Sequence, residues 1–97
     1  MIDTTFPQFE ADALAKGYDI AIERKWAPDE VVDVHTHPFT VKALVIEGEM
    51  LLSVGGITRR FGPGDQFEMA AGVPHAECYG HEGATYWVAR RYLPAPT

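Results

Sequence analysis

From Tyr18 onward the apolar positions fall into short runs rather than helical stripes. Tyr18, Ile20 and Ile22 alternate with Asp19, Ala21 and Glu23, the two-residue repeat of a half-buried strand. Further apolar runs follow at about 31–37, 41–47, 49–54, 57–61, 65–69, 74–79 and 85–92. Pro28, Gly48, Gly55-Gly56, Pro63-Gly64, Gly72 and the segment GHEG at 80–83 separate them and predict turns. Gly55-Gly56, between LLSV and ITRRF, predicts a two-residue hairpin loop, because glycine reaches the positive φ that such turns need. No helical pattern long enough for a crossover lies between the runs. Parallel βαβ architecture is thereby excluded, and an all-β antiparallel sandwich or barrel, best a jelly roll, is expected.

Upstream, FEADALAK at 9–16 carries Phe9, Ala13 and Leu14 at helical spacing, with Gly17 placed as a stop. A short leading helix is expected. With 97 residues, 46% of them hydrophobic, the chain should form one domain around one core. The expected divisions are an N-terminal extension at 1–17, a barrel at 18–92 and a solvated tail at 93–97.

Charge narrows the range of partners. The 14 acidic and 8 basic residues give a formal charge of −6, which would repel a phosphate backbone unless Arg59, Arg60, Arg90 and Arg91 formed a local patch. No nucleic-acid partner is expected. Nor is a membrane partner, since the start of the chain lacks a basic-then-apolar leader and no apolar run approaches the length of a membrane span. The single cysteine, Cys78, precludes an intrachain disulfide and suits a reducing cytoplasm.

Candidate chemistry centres on VVDVHTHPFTVKALVIEGEM, residues 31–50, which places His35 and His37 two apart. In a strand such residues face the same side roughly 7 Å apart, so both imidazoles could converge on one point inside a narrow barrel. Neutral imidazole is a ligand for zinc, iron, copper and nickel. The pair alone suits exposed or hydrogen-bonded histidines equally well. His75, in AAGVPHAECYG, supplies a possible third ligand.

These segments resemble the two motifs of the cupin family. The first motif runs glycine, five residues, H-x-H, three or four residues, glutamate, six residues, glycine. His35, His37 and Gly48 match it, Asp29 stands at the opening glycine, and a three-residue spacer puts Val41 at the glutamate. A four-residue spacer would put Lys42 there but send the closing glycine to Glu49, so Val41 is preferred. Aspartate tolerates turn conformations better than most residues, which suits position 29. The second motif runs glycine, five residues, P-x-G, two residues, histidine, three residues, asparagine. Gly64, Gly72 and His75 match, with Ala70 in place of the proline and Tyr79 in place of the asparagine. The resemblance covers about residues 29–92 and implies an antiparallel double-stranded β-helix, the cupin jelly-roll barrel.

It also implies a metal held by three histidines and a glutamate, from which this chain departs at Val41. A three-histidine site for one divalent metal (Fe, Zn, Ni or Mn) remains, with open positions and a full positive charge that favours an anionic ligand. Glu77 and Tyr79 share strand parity with His75 and are candidate catalytic groups. For Glu77 the competing expectation is a place at the rim in water, and for Tyr79 simple packing. Cys78, of opposite parity, is expected to be a packed thiol, His81 a loop residue, Lys42 an outward, solvated lysine, and Glu47 and Glu49 surface charge. Phe39, Met50, Phe61, Phe67, Met69 and Trp87 are candidates for the core or a dimer face.

Several three-histidine cupins are dioxygenases, so the resemblance suggests dioxygenase-like chemistry on a small anionic or thiol-bearing substrate. The alternatives are a sensor module binding a small ligand without catalysis and a structural barrel without tight metal. A homodimer is expected, because a small barrel has exposed sheet edges and a thin core.

Overall fold

The computed structural model describes residues 2–92; Met1 and the expected tail at 93–97 lie outside the described residues. The chain opens with α1 (Phe6–Ala15), which begins earlier than the apolar spacing suggested. The reason lies in its cap: the Thr5 side chain accepts a hydrogen bond from the Gln8 N–H at 3.3 Å, and Pro7 occupies the first turn, where a missing N–H costs nothing. Gly17, at φ 93°, ends the helix as expected, and the Tyr18 N–H donates to the Ala13 carbonyl at 3.0 Å. Phe9 and Ala13 are buried, whereas Leu14 is exposed.

Six strands follow: β1 (Ile20–Trp26), β2 (Val31–His35), β3 (Phe39–Val54), β4 (Ile57–Phe61), β5 (Gln66–Met69) and β6 (His75–Tyr92). Every pairing is antiparallel. The two long strands β3 and β6 pair along their lengths and belong to both halves of the fold. The first half of β3 and the second half of β6 are flanked by β5 and β1; the other halves are flanked by β4 and β2. This is the two-layered jelly roll anticipated from the apolar runs. The hairpin at Gly55-Gly56 is also as expected, with Val54 paired to Ile57 and φ values of 58° and 80°.

Two expected turns are strand interior instead. Gly48 lies within β3, and GHEG at 80–83 lies within β6. The ladder between these strands shifts register between Val45 and Glu47 and again between Gly48 and Met50. Such bulges bend a strand without ending it, so each long strand turns from one layer into the other while its pairing continues.

The core lies between the layers, with Val45 and Met50 fully buried among Leu52, Tyr79, Tyr86 and Val88. Phe39, Phe61 and Met69 also join it, and Phe67 packs half-buried against it. On the opposite face of the first layer, α1 covers Leu44, Trp87 and Ala89. The Trp87 ring meets Phe6 edge-on at 5.6 Å, and its N–H donates to Glu23 Oε2 at 3.0 Å. That part of β6 is buried on both faces, which is why residues 84–89 read as an almost unbroken apolar run. Among the described residues no helix is long and apolar enough to cross a membrane.

Candidate metal centre

His35 ends β2 and His75 begins β6, and the two are direct cross-strand partners. His37 lies just beyond β2, so it does not continue the strand as expected. It arrives at the same point from a loop whose backbone is held by the Gly72 N–H, which donates to the His37 carbonyl at 2.9 Å. The ring centroids stand 4.2 Å apart for His35 and His75, 4.7 Å for His35 and His37, and 5.0 Å for His37 and His75. One ligand nitrogen from each lies within 4.8 Å of the others.

Backbone carbonyls orient two of the rings. His35 Nδ1 donates to the Asp33 carbonyl at 2.7 Å, and His75 Nδ1 donates to the Val73 carbonyl at 2.9 Å. A carbonyl can only accept, so in the neutral rings Nδ1 carries the proton and Nε2 the free lone pair. His37 stacks on Phe39 at 4.7 Å and 13°. Its pKa is lowered to about 4, first by burial and then by repulsion from His75, His35, Arg90 and Arg24. It is therefore unprotonated at neutral pH, as a ligand must be. The donor set fits a borderline transition metal.

Beside the rings is a cavity of about 80 Å³. Glu77 lines it and is only 7% exposed, so it sits inside rather than at the rim. Burial raises its pKa above the ordinary carboxylate range, against the opposing influence of His75 and His35. It is not part of the cluster of mutually close ligand atoms. Tyr79 lies deeper: its ring stacks on Trp26 at 4.9 Å and 10°, and its hydroxyl is buried without a hydrogen-bond partner. Burial pushes its pKa up, reinforced by Tyr86 and Glu77. The tyrosine that lines the cavity is Tyr86.

Val41 faces the cavity, while Lys42 points the other way, towards α1. Lys42 is half-buried rather than freely solvated, and its pKa is lowered by burial and by neighbouring Lys16. The three-residue spacer therefore gives the inward position. Asp29 adopts φ 59°, the left-handed conformation that its place at a motif glycine calls for. Cys78 has the outward parity expected but is exposed rather than packed, because among the described residues no helix covers the second layer as α1 covers the first. His81 is exposed as expected, though within β6, with Nδ1 3.0 Å from Asp29 Oδ1. Glu49 is paired with Arg60 at 2.6 Å.

Two cavity residues escaped the sequence reading: Arg24 on β1 and Arg90 on β6. Their signal was present in the alternation, since Arg24 shares parity with Ile22 and Trp26, and Arg90 with Tyr86 and Val88. Charge argued for the surface and masked it.

The family model for the cupin domain, Cupin_2, matches residues 23–88. The chain belongs to the cupin family. Similar solved structures include the DMSP lyase DddQ from Ruegeria pomeroyi, 24% identical with a TM-score of 0.70 over 80% of this chain and 40% of that one. Oxalate decarboxylase of Bacillus subtilis, described with Mn(II) centres, is 20% identical with a TM-score of 0.69 over 86% of this chain and 24% of that one. The cupin domain of an XRE family transcriptional regulator from Enterobacter cloacae is 18% identical with a TM-score of 0.66, over 80% of this chain and 90% of that one. This cupin thus spans less than half the length of either enzyme. No curated protein matches its sequence. At these identities the likeness is one of fold, and function has to be argued from the site.

Proposed function

We propose that this cupin holds one divalent transition metal on His35, His37 and His75 and is an enzyme acting on a small molecule in the adjoining cavity. The observation that carries the reading is the convergence of three imidazoles, two of them with Nδ1 tied to backbone carbonyls so that Nε2 is the ligand nitrogen. Held by three neutral ligands, the metal would supply Lewis-acid polarisation or, as iron, dioxygenase-like oxygen chemistry at its open positions. The protein's own contribution is Glu77, a buried carboxyl with a raised pKa placed to accept and return a proton. Val88, Phe67 and Met69 give the same cavity an apolar side.

Cavity size favours a small substrate over a bulky effector: about 80 Å³ is less than the roughly 150 Å³ of a cavity that takes benzene. Among the structural neighbours, a lyase and a decarboxylase are therefore better guides than a regulator domain. A homodimer in a reducing compartment completes the proposal, supported by exposed Val31 and Ile57 on the edge strands β2 and β4 and by the exposed free thiol of Cys78.

The test is elemental analysis of protein purified without a histidine tag or chelator, beside His35→Ala and His75→Ala. The expected result is about one metal per chain, lost in both variants. Iron would direct the chemistry towards oxygen; zinc, nickel or manganese would direct it towards polarisation and proton transfer. A protein that takes up none of these metals after each is added back would overturn the proposal and leave a ligand-binding or structural barrel.

A further inference from the structure

The cavity beside the three histidines is walled by two cations. Arg24 and Arg90 both line it. The guanidinium of Arg90 sits 4.6 Å from the ring centre of Phe39, the ring on which His37 stacks; that of Arg24 sits 4.9 Å from the ring centre of Trp26. The aromatic rings hold the two side chains in place.

Neither arginine forms a salt bridge among the described residues, although Arg24 lies near enough to Glu77 to favour its ionised form. Among the described residues the ion pairs are Lys25–Glu23, Arg60–Glu49 and His81–Asp29. Arg90 Nε is buried without a hydrogen-bond partner among the described residues. In a chain with 14 acidic against 8 basic residues, two half-buried arginines that face one cavity without a salt bridge, one of them with a buried unsatisfied Nε, make a place for an anion. Glu77 faces the same space but bonds to neither of them.

Building on the proposal that this cavity is the substrate site, we infer that Arg24 and Arg90 form its anion-binding wall and that the small molecule it takes carries a carboxylate. The guanidinium fork presents parallel N–H donors that match two carboxylate oxygens. The cavity volume suits a short-chain acid. The three imidazoles line the same cavity, so an acid whose carboxylate is gripped by arginine would lie beside the histidine cluster. Arg24 and Arg90 are accordingly specificity-determining residues.

The test is isothermal titration of zinc-loaded protein with propionate and with its neutral isostere propionamide, using wild type, Arg24→Gln, Arg90→Gln and Arg90→Lys. Zinc stoichiometry and melting temperature are measured on each. Propionate should bind wild type and propionamide should not, and each Gln variant should bind propionate about tenfold or more weakly with zinc stoichiometry unchanged. Arg90→Lys keeps a cation and the packing on Phe39, and it should fall between wild type and Arg90→Gln even if the latter no longer melts cooperatively. Equal binding of acid and amide, propionate affinity indifferent to all three substitutions, or preference for phosphate or methanesulfonate over propionate would overturn the inference. Zinc uptake without arginine-dependent binding sinks this inference alone. Arginine-dependent propionate binding by a protein that takes no metal sinks the metal proposal and leaves the anion wall standing.

Discussion

Gly48 of β3 and Gly83 of β6 meet where the two long strands bend, so closely that a Cβ on Gly48 would run into the Gly83 carbonyl oxygen. Gly48 also has φ 79°, a conformation that side chains rarely adopt. The obstacle is backbone, which cannot rotate aside as a side chain would. Gly48→Ala should therefore cost about 2–4 kcal/mol, combining conformational strain with overpacking. Urea unfolding followed by circular dichroism would measure it. A loss of only a few tenths would mean that the corner is looser than the structure shows.

That corner also explains what could be read from the sequence. The apolar runs at 41–47 and 49–54 were real, as were those at 74–79 and 85–92, but glycine signals a bend and a turn alike. Whether the ladder continues through the bend depends on pairing partners far along the chain, here Gly48 with Ala84 and Met50 with Tyr79. The metal-centre candidates were legible because the motif spacing carries His35, His37 and His75 together. Arg24 and Arg90 were not, because parity assigns a face only once it is known which face is enclosed, and a charged residue biases the guess outward. Cys78 failed for the complementary reason: its parity was right, but among the described residues no helix covers that face.

Glu77 should make the metal-free protein less stable as the pH rises. Its folded-state pKa is raised by burial, so between the unfolded value near 4.5 and the folded value the native state binds more protons than the unfolded chain. Stability is then greatest below that window and declines through it. Glu77→Gln keeps the shape and removes the charge, so it should raise the urea midpoint of chelator-treated protein at pH 7 and flatten its decline above pH 4.5. A bound divalent cation favours the ionised carboxylate and should narrow the difference between wild type and variant. A variant less stable than wild type at pH 7 without metal would mean that the carboxylate is better satisfied than its burial implies.

His37 should contribute the opposite slope. With a folded-state pKa of about 4 against an ordinary 6.5, the native state binds fewer protons than the unfolded chain between those values. Its stabilising contribution is complete above pH 6.5 and is lost as the pH falls towards 4. Urea midpoints of chelator-treated wild type and His37→Gln across this range would isolate the effect. The difference between the two curves should change between pH 6.5 and 4 and level off outside it. Parallel curves would show that the imidazole is solvated well enough to protonate freely.

Val41→Glu should rebuild the carboxylate that the family motif places there. Val41 is 8% exposed and lines the cavity on β3, paired with Met69 on one side and Arg90 on the other. A glutamate at this position points into the space beside the three imidazoles. Without metal it would be a buried charge in a cavity whose cations are the Arg24 and Arg90 side chains, so chelator-treated protein should lose roughly 1–3 kcal/mol of stability. With metal it would add an anionic oxygen ligand to three neutral nitrogens, and affinity should rise about tenfold or more in competition with a chromogenic chelator. The same carboxylate would compete with an incoming acid for Arg90, so propionate binding should weaken as metal binding tightens. Opposite movement of the two affinities would place metal and anion subsites side by side in one cavity. Unchanged metal affinity in a folded variant would show that position 41 does not reach the cluster, and that the valine is packing alone.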